Sequence, residues 1–408
     1  MTSPHTETAA VVAEPAAAPD TRDGAPVDAF RARLRAFLSA EHPGRSPKGD
    51  RGARTRWQQD WAATLFDHGF AGPSWPREYG GCDLGLDEQI VYYQELARAR
   101  VPGHPGNGPS IAGPTILTFG TPAQRERFLQ PMLRADEVWA QGFSEPEAGS
   151  DLPALRTTAR LDGDAYVVNG QKVWSSNADV ADWLFALVRT GTQQSRSAGI
   201  TYLLIDLTTS GITVRPIRDL SGGSHFCEIF FDDVRVPVDN RIGEQDGGWG
   251  VARASLGHER ATRALSQAAL FRRAWDELVT LLQDRGALAD ETARDRVAAF
   301  EIRVRIMQLT AQRTIDQIRR TGEPGAASST SRLYQSLLEQ GLYELAMELL
   351  GPDAVLLDAD SGAVQGGRWV RNYLRSRAAT IGTGTAEIQR NTIAERVLGL
   401  PQIFTPTR

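Results

Sequence analysis

The spacing of apolar residues changes twice along this chain, and that change constrains the fold more than any single motif. Apolar residues recur at helical spacing over residues 27–136 and again after Gly247. Between them, from 138 to about 242, the period is two and no helical pattern intervenes. The sequence therefore predicts an α+β protein in which an antiparallel β domain separates two helical parts. A dinucleotide-binding βαβ unit is excluded, because no G-x-G-x-x-G sequence opens a helix.

The helical regions break into segments with recognisable ends. Thr121, Pro122 and Gln124 form a capping box with proline at the first helical position. The longest predicted segments are Trp57–Phe70 and Leu86–Ala99 in the first region, and Trp249–Gln283, Glu291–Arg320, Ser331–Leu350 and Trp369–Leu398 in the last. The last four predict a four-helix bundle whose fourth stretch is broken near Gly382.

Four parts of the chain follow from these patterns. We predict a disordered Ala- and Pro-rich tail at 1–25, an N-terminal α domain at 26–137, a middle β domain at 138–243 and a C-terminal four-helix bundle at 244–408. The tail has several acids and no apolar core, which predicts neither a signal peptide nor a mitochondrial presequence.

Composition narrows the functional class. The 408 residues are 41% hydrophobic and 23% charged, which is typical of a soluble globular protein. A net charge of −5 argues against a nucleic-acid partner, and no apolar run is long enough to span a membrane. Cys82 and Cys227 are too far apart to indicate a disulfide framework or a metal site, which fits a reducing cytoplasm.

Two short stretches of the middle region carry the strongest functional indication. In Gln141–Leu152, a predicted strand runs into a small, turn-forming Ala-Gly-Ser-Asp sequence whose amides could approach an anion. About twenty residues later, Asn169–Asn177 is predicted as a tight Asn-Gly turn leading into a strand with Trp174 and two serines. Taken alone, the first stretch could be an ordinary surface turn. Together, both resemble the acyl-CoA dehydrogenase family, whose middle domain has these two motifs at this spacing and uses them to line the flavin of FAD.

The resemblance covers nearly the whole chain beyond the tail and implies a set of site residues. It implies that Gln141, Phe143 and Ser144 lie along the flavin ring and that Ser150 contacts an FAD phosphate or the coenzyme A arm. Trp174 would stack beside the ring with Ser175 next to it, and Ser176 would offer its hydroxyl to N5. The family pattern puts Gly384, Thr385 and Glu387 near the adenosine half. No metal is implied.

The residue that removes the α-proton needs a separate argument. Much of the family uses a Glu in a turn near the C-terminus, but Thr383 stands there, and a hydroxyl cannot serve as that base at neutral pH. On a helix, Glu259 interrupts an apolar stripe and would lose solvation. Some branches, including those acting on branched or bulky acyl groups, carry their base at this facing-helix position, directly before an Arg. We predict Glu259 as the base and Arg260 as an acyl-CoA contact; the alternative is a surface Glu paired with Arg263. His258 is assigned a structural role.

The resemblance then implies a reaction and partners. An FAD-dependent acyl-CoA dehydrogenase would convert acyl-CoA, or an acyl-carrier-protein thioester, to the trans-2-enoyl product, with the β-hydride passing to flavin N5. An electron-transferring flavoprotein would accept the electrons, and the protein would form a homodimer or tetramer.

Two other functions stay open at this point. The family's "R-x-FG" and "Q-x-x-GG-x-G" segments, which grip FAD of a neighbouring subunit, are not recognisable; Phe271–Trp275 and Met347–Pro352 occupy those regions. The chain could therefore be a subunit of a heteromeric dehydrogenase with an incomplete site. A flavin oxidase or monooxygenase on the same fold is the third possibility.

Overall fold

The computed structural model describes residues 24–47, 51–326, 328–357 and 362–401. Residues 1–23 of the predicted disordered tail lie outside the described residues, and Gly24 and Ala25 begin the first helix. The first helical part contains α1 (Gly24–Ala40), α2 (Arg51–Asp67), α3 (Leu86–Ala99), α4 (Gly113–Phe119) and α5 (Pro122–Arg134). The predicted segment Leu86–Ala99 is confirmed with both its ends.

The predicted capping box at the start of α5 is confirmed, and it does more than end a helix. The hydroxyl of Thr121 accepts from the Gln124 amide N–H at 3.2 Å, and Oε1 of Gln124 accepts from the Thr121 N–H at 2.9 Å. Nε2 of Gln124 then donates to the carbonyls of Asp239 and Arg241 at 2.6 and 2.9 Å. One side chain thus caps α5 and fixes that helix against the end of the middle sheet.

The middle region folds into one sheet of eight strands among the described residues. The strands are β1 (Trp139–Gly142), β2 (Thr158–Asp162), β3 (Ala165–Ser176), β4 (Trp183–Arg189), β5 (Ile200–Asp206), β6 (Ile212–Ile217), β7 (Phe226–Pro237) and β8 (Arg241–Ile242). They follow the order β6-β7-β3-β2-β4-β5-β8, and β1 pairs with β4. Most pairings are antiparallel as predicted, but β1–β4 and β2–β4 are parallel. The strand β4 is buried along its whole length.

The predicted Asn-Gly turn is wrong. The β2–β3 hairpin turns earlier, at Gly163-Asp164, because Asp162 pairs with Ala165. The Asn169-Gly170 pair is not a turn but lies inside β3, at a break in register with β7. Gly170 has φ +144°, and a Cβ added there would lie 2.7 Å from Cα of Thr157. The glycine is therefore required by close backbone approach rather than by chain reversal.

The last part is helical and forms a bundle. Its helices are α6 (Gly248–Asp284), α7 (Glu291–Thr321), α8 (Ser328–Leu350), α9 (Arg368–Ser376) and α10 (Ala386–Thr392). The predicted break in the fourth stretch separates α9 from α10, where Thr383 and Gly384 adopt φ values of +58° and +83°. The helix α6 also contacts the N-terminal helices, through a buried hydrogen bond of 2.6 Å between Ser255 and Thr115. The predicted fold class, helical N- and C-terminal parts around a middle sheet, is confirmed.

Candidate functional site

The turn after β1 is closed by its own backbone. The amide N–H of Glu145 donates to the Ala148 carbonyl at 3.0 Å, and the Ala148 N–H returns a bond of 3.1 Å to Glu145. The following small residues reach the surface, since Ser150 is exposed and a Cβ added at Gly149 would meet no atom within 4 Å. The turn therefore offers open backbone beside Ser150, as a site for a phosphate requires.

A buried ion pair joins this turn to β3. Nζ of Lys172 lies 2.7 Å from Oε1 of Glu145, and both side chains are buried. Glu145 also accepts from the amides of Arg156 and Thr157, and the Val173 N–H donates to the Ser144 carbonyl at 2.9 Å. The two motifs that are about twenty residues apart in sequence thus form one platform.

The charges of this pair are set by opposing effects. Burial disfavours the charged carboxylate of Glu145, but the ammonium of Lys172 and the accepted hydrogen bonds outweigh burial and hold its pKa below the ordinary value. Burial lowers the pKa of Lys172 to about 8, although Glu145 acts in the opposite direction. At pH 7 the pair is therefore ionised, with the lysine close to its titration range.

Beside the platform, the end of β3 presents an aromatic side chain to the outside. Trp174 has φ +61° at a register shift between β3 and β7, and its side chain is 59% exposed. Its ring contacts Phe226 edge-on, with centroids 5.9 Å apart. The neighbouring Oγ of Ser175 is buried and has no hydrogen-bond partner among the described residues. A tryptophan with a positive φ and a buried hydroxyl without a hydrogen bond each raise the free energy of the folded chain. This segment therefore fits a site that a planar ligand completes.

The largest cavity described lies where all three parts of the chain meet. It has a volume of about 940 Å³. Thr118 comes from the N-terminal part, the stretch from Gln141 to Leu152 from the middle, and the remaining lining residues from the C-terminal helices. Seven of the predicted site residues line it: Gln141, Phe143, Ser144, Ser150, Glu259, Arg260 and Gly384.

The other five predicted site residues do not line this cavity. Trp174, Ser175 and Ser176 lie at the end of β3 beside the platform. Thr385 caps α10, where its hydroxyl accepts from the Ile388 amide at 3.2 Å. The side chain of Glu387 is 77% exposed and lies 3.5 Å from Arg390. Glu387 is thus outside the cavity.

Glu259 has the surroundings that the sequence predicted for the catalytic base. It lines the cavity and its side chain is only 14% exposed. Oε1 accepts from Nε of Arg263 at 3.1 Å, one helical turn further on. The two alternatives considered for Glu259, a cavity carboxylate and a helix ion pair with Arg263, are therefore both present in the structure.

The cavity is strongly cationic. Five arginines and two glutamates line it: Arg253, Arg260, Arg263, Arg332 and Arg396, with Glu259 and Glu323. Such an excess of guanidinium groups favours an anionic ligand, and phosphates above all. The lining also includes apolar side chains such as Leu256, Met307 and Ile388. The cavity can therefore accommodate a ligand with both anionic and apolar groups.

Sequence reasoning missed Arg332. This α8 residue donates through Nη2 to the carbonyls of Ala379 and Gly382, both at 2.7 Å, and so holds the segment that leads to Thr383. Burial lowers its pKa, since its guanidinium is largely desolvated. No local pattern identifies this residue, because its partners lie about fifty positions away and belong to irregular backbone.

Comparisons with known proteins agree with this geometry. Models of the acyl-CoA dehydrogenase N-terminal, middle and C-terminal domains match residues 27–136, 140–234 and 246–398. Acyl-CoA dehydrogenase IpdE1 of Mycobacterium tuberculosis is 39% identical over 385 residues, which are 92% of this chain and 98% of that protein. The chain belongs to the acyl-CoA dehydrogenase family.

Solved structures of this acyl-CoA dehydrogenase family superpose over nearly the whole chain. One is described as the Tcur3481-Tcur3483 steroid ACAD, with a TM-score of 0.82, 28% identity, and coverage of 94% of this chain and 100% of that one. The ChsE4-ChsE5 complex from Mycobacterium tuberculosis gives a TM-score of 0.80 and 30% identity, covering 92% and 98%. This dehydrogenase-family chain has, in its described residues, no helix long and apolar enough to cross a membrane.

Proposed function

We propose that the protein is an FAD-dependent acyl-CoA dehydrogenase in which Glu259 removes the α-proton of an acyl thioester. This proposal rests on the largely buried carboxylate of Glu259, which lines the same cavity as the motif turn and five arginines. The proton leaves Cα for Glu259, the hydride leaves Cβ, and a trans double bond forms between the two carbons. Hydrogen bonds to the thioester oxygen stabilise the enolate-like transition state.

The opposite wall supports Glu259 rather than another residue as base. Thr383 lines the same cavity at the position where much of the family has its Glu, and a threonine hydroxyl is not a base at neutral pH. Glu387 points to solvent beside Arg390. The ion pair with Arg263 orients Glu259 at rest.

The arginines suit the other end of the substrate. Coenzyme A and the phosphopantetheine of a carrier protein both carry phosphate, which Arg binds through paired N–H donors. Arg260 and Ser150 lie in the cavity wall where such a group can reach the surface. We therefore propose that Arg260 and Ser150 contact the substrate. The alternative role of Ser150 is a contact to an FAD phosphate.

The platform fits FAD, judged by the unsatisfied Ser175 hydroxyl and the exposed left-handed Trp174. Gln141, Phe143 and Ser144 would hold the flavin ring on one side, with Trp174, Ser175 and Ser176 along its edge. Gly384, Thr385 and Glu387 would lie toward the adenosine half. When bound, FAD supplies the acceptor for the hydride that leaves Cβ.

Thr383 and one similar structure suggest the acyl group. Thr383 leaves room in the cavity where other branches carry the longer side chain of a Glu. One of the similar structures is described as a steroid ACAD. We propose a bulky, ring-bearing acyl thioester as substrate, with an electron-transferring flavoprotein as acceptor.

A heteromeric enzyme is the second candidate. One of the similar structures above is described as the ChsE4-ChsE5 complex, and the other also carries two names, Tcur3481 and Tcur3483. In this chain, Arg272 is already bound to Asp276 and Glu301, so it is not free to grip a cofactor of a neighbouring subunit. A homo-oligomer would show full flavin content and turnover alone, whereas a heteromer would gain both on addition of a second chain.

Substitution of Glu259 tests the proposal. Glu259→Gln keeps the flavin absorption bands but lowers kcat by about 10²–10⁴-fold, the usual contribution of a positioned base. The matched control is Asp276→Asn, which removes an i,i+4 partner of an arginine on the same helix away from this cavity. Turnover near wild type in Glu259→Gln would refute the assignment.

An anaerobic titration names the substrate class. The absorption spectrum of the purified chain is recorded first, then during addition of straight-chain, branched and ring-bearing acyl-CoA thioesters. Bleaching of the flavin bands by the ring-bearing class is the expected result. In a separate aerobic assay of the same samples, consumption of oxygen without an added acceptor would instead identify an oxidase or monooxygenase.

A further inference from the structure

We propose that His258 determines substrate specificity by hydrogen-bonding an oxygen atom on the acyl chain, a ketone or a hydroxyl remote from the thioester. The inference rests on the proposed dehydrogenase function and names a feature of its substrate. Nothing in the sequence motifs indicates it, and sequence reasoning gave His258 a structural role.

The structure gives His258 no partner of its own. It lines the same cavity as Glu259, and its Nε2 is buried without a hydrogen bond to any described residue. Four of the other five histidines are described, His42, His68, His104 and His225, and each of these four is hydrogen-bonded through its ring. A buried ring nitrogen that lacks a partner carries an energetic cost until another group satisfies it. Because His258 borders the cavity, a ligand there is the group most able to do so.

The charge state of His258 decides which kind of ligand it binds. Burial lowers the pKa of His258, because desolvation disfavours the imidazolium ion. A neutral imidazole carries one N–H donor and one acceptor nitrogen and no net charge. It therefore suits a ketone or hydroxyl oxygen better than a phosphate, for which the cavity already has arginines.

Helix geometry separates His258 from the anionic end of the cavity. His258 lies three residues after Ser255, on the face of α6 that bonds to Thr115 of α4. Arg260 is two residues further on, about 200° around the helix. The imidazole therefore faces the N-terminal helices, while the guanidinium points to the other side. An acyl chain that lies against Glu259 with its thioester toward Arg260 extends its far end toward His258.

Paired substrates and variants test this arrangement. The probes are cyclohexylpropanoyl-CoA and its ring-ketone derivatives, which are isomers of one another and carry C=O in place of one ring CH₂. The measured quantity is the ratio of kcat/KM for each ketone to that for cyclohexylpropanoyl-CoA, the plain ester. It is measured in the FAD-loaded wild type and in His258→Leu and His258→Gln. Thr118→Val is the control, because its hydroxyl lines the same cavity but is already bound to the Pro114 carbonyl.

The wild type is expected to prefer one ring ketone. His258→Leu lowers that preference by about 10–100-fold, the effect of losing one buried hydrogen bond, and acts mainly through KM. His258→Gln keeps part of the preference, because its amide nitrogen reaches a position similar to Nε2. Thr118→Val keeps the wild-type ratio.

Two further outcomes separate this inference from the proposed function. If the plain ester is oxidised and the ratio in His258→Leu equals that of the wild type for every isomer, the role of His258 is wrong while the dehydrogenase stands. If no ester is oxidised, calorimetric affinities of the same esters still test the hydrogen bond: a ketone preference lost in His258→Leu supports it, and equal affinities overturn it.

Discussion

At the scale of single residues, the Glu145–Lys172 pair holds together the two motifs for which we propose flavin binding. Lys172 also donates to the Phe143 carbonyl at 3.2 Å, so its ammonium touches the backbone of a proposed flavin contact. The pair is buried, and its members come from the turn after β1 and from β3. Loss of either charge therefore acts on the platform and on folding together.

We expect Lys172→Met to lower the free energy of unfolding by about 3–5 kcal/mol, because Glu145 then stays buried without its cation. Urea unfolding followed by tryptophan fluorescence measures this. The double variant Glu145→Gln with Lys172→Met should recover part of the loss, since it leaves no buried charge. A single variant within 1 kcal/mol of wild type would contradict a structural role for the pair.

Motif residues were predictable at this scale and their partners were not. The sequence indicated Gln141–Leu152 and Trp174 because turn-forming and aromatic residues have local signatures. It did not indicate that Lys172 reaches Glu145, since twenty-seven residues separate them and a lysine in a strand usually points to solvent. Gly170 was misread for a related reason: a turn and a close backbone approach both require glycine.

At the scale of elements, a single carboxylate fastens α1 to α3. Glu95 of α3 is 2% exposed and accepts from Arg31 and Arg35 of α1 and from Arg98. Burial opposes ionisation of Glu95, but the hydrogen bonds from these arginines outweigh it and hold its pKa at about 2. The two helices thus depend on one ionised group.

This gives a pH dependence with a definite sign. The folded pKa of Glu95 lies below the ordinary value of 4.5, so its stabilisation is complete above pH 4.5 and is lost as pH falls toward about 2. Because the arginines are partly exposed, we expect a contribution of about 1–3 kcal/mol. Urea unfolding of wild type and Glu95→Gln at pH values from 6 to 3 should show their difference shrinking below pH 4.5. Asp28→Asn, an exposed acid on α1, is the control; a difference independent of pH would contradict the assignment.

Helices and strands were the most predictable feature of this chain. The periods of 3.6 and two reflect which face of each element is buried, and this local property is written in consecutive residues. The parallel pairing of β1 with β4 was not predictable, because it depends on how segments forty residues apart meet. The interruption between α9 and α10 was predictable from the glycines around Thr383.

At the scale of the whole molecule, the proposed active site belongs to no single part. The cavity takes residues from the N-terminal helices, the middle sheet and the C-terminal bundle. Its composition could not be predicted beyond the motifs, since Arg332 and His258 acquire their positions only through packing. Ligands that fill it contact all three parts at once.

We therefore expect removal of FAD to lower the thermal stability of the whole chain. Restoring FAD at 100 times its Kd should stabilise the folded state by about 2.7 kcal/mol, because it binds only that state. Differential scanning calorimetry of the apoprotein with and without FAD measures the change. NAD, which shares the adenosine half but has no flavin, is the control. Equal melting of the two samples would count against FAD as the cofactor.

The double role of Gln124 has a consequence for the order in which the nascent protein takes shape. The helix that Gln124 caps is complete once residue 134 has been synthesised, but the two carbonyls that its amide binds follow it by 115 and 117 residues. Until the ribosome has released that later segment, the amide of Gln124 bonds to water and these two hydrogen bonds between α5 and the end of the sheet are absent. This contact between the first two parts therefore forms late in translation, although the side chain that makes it is synthesised early.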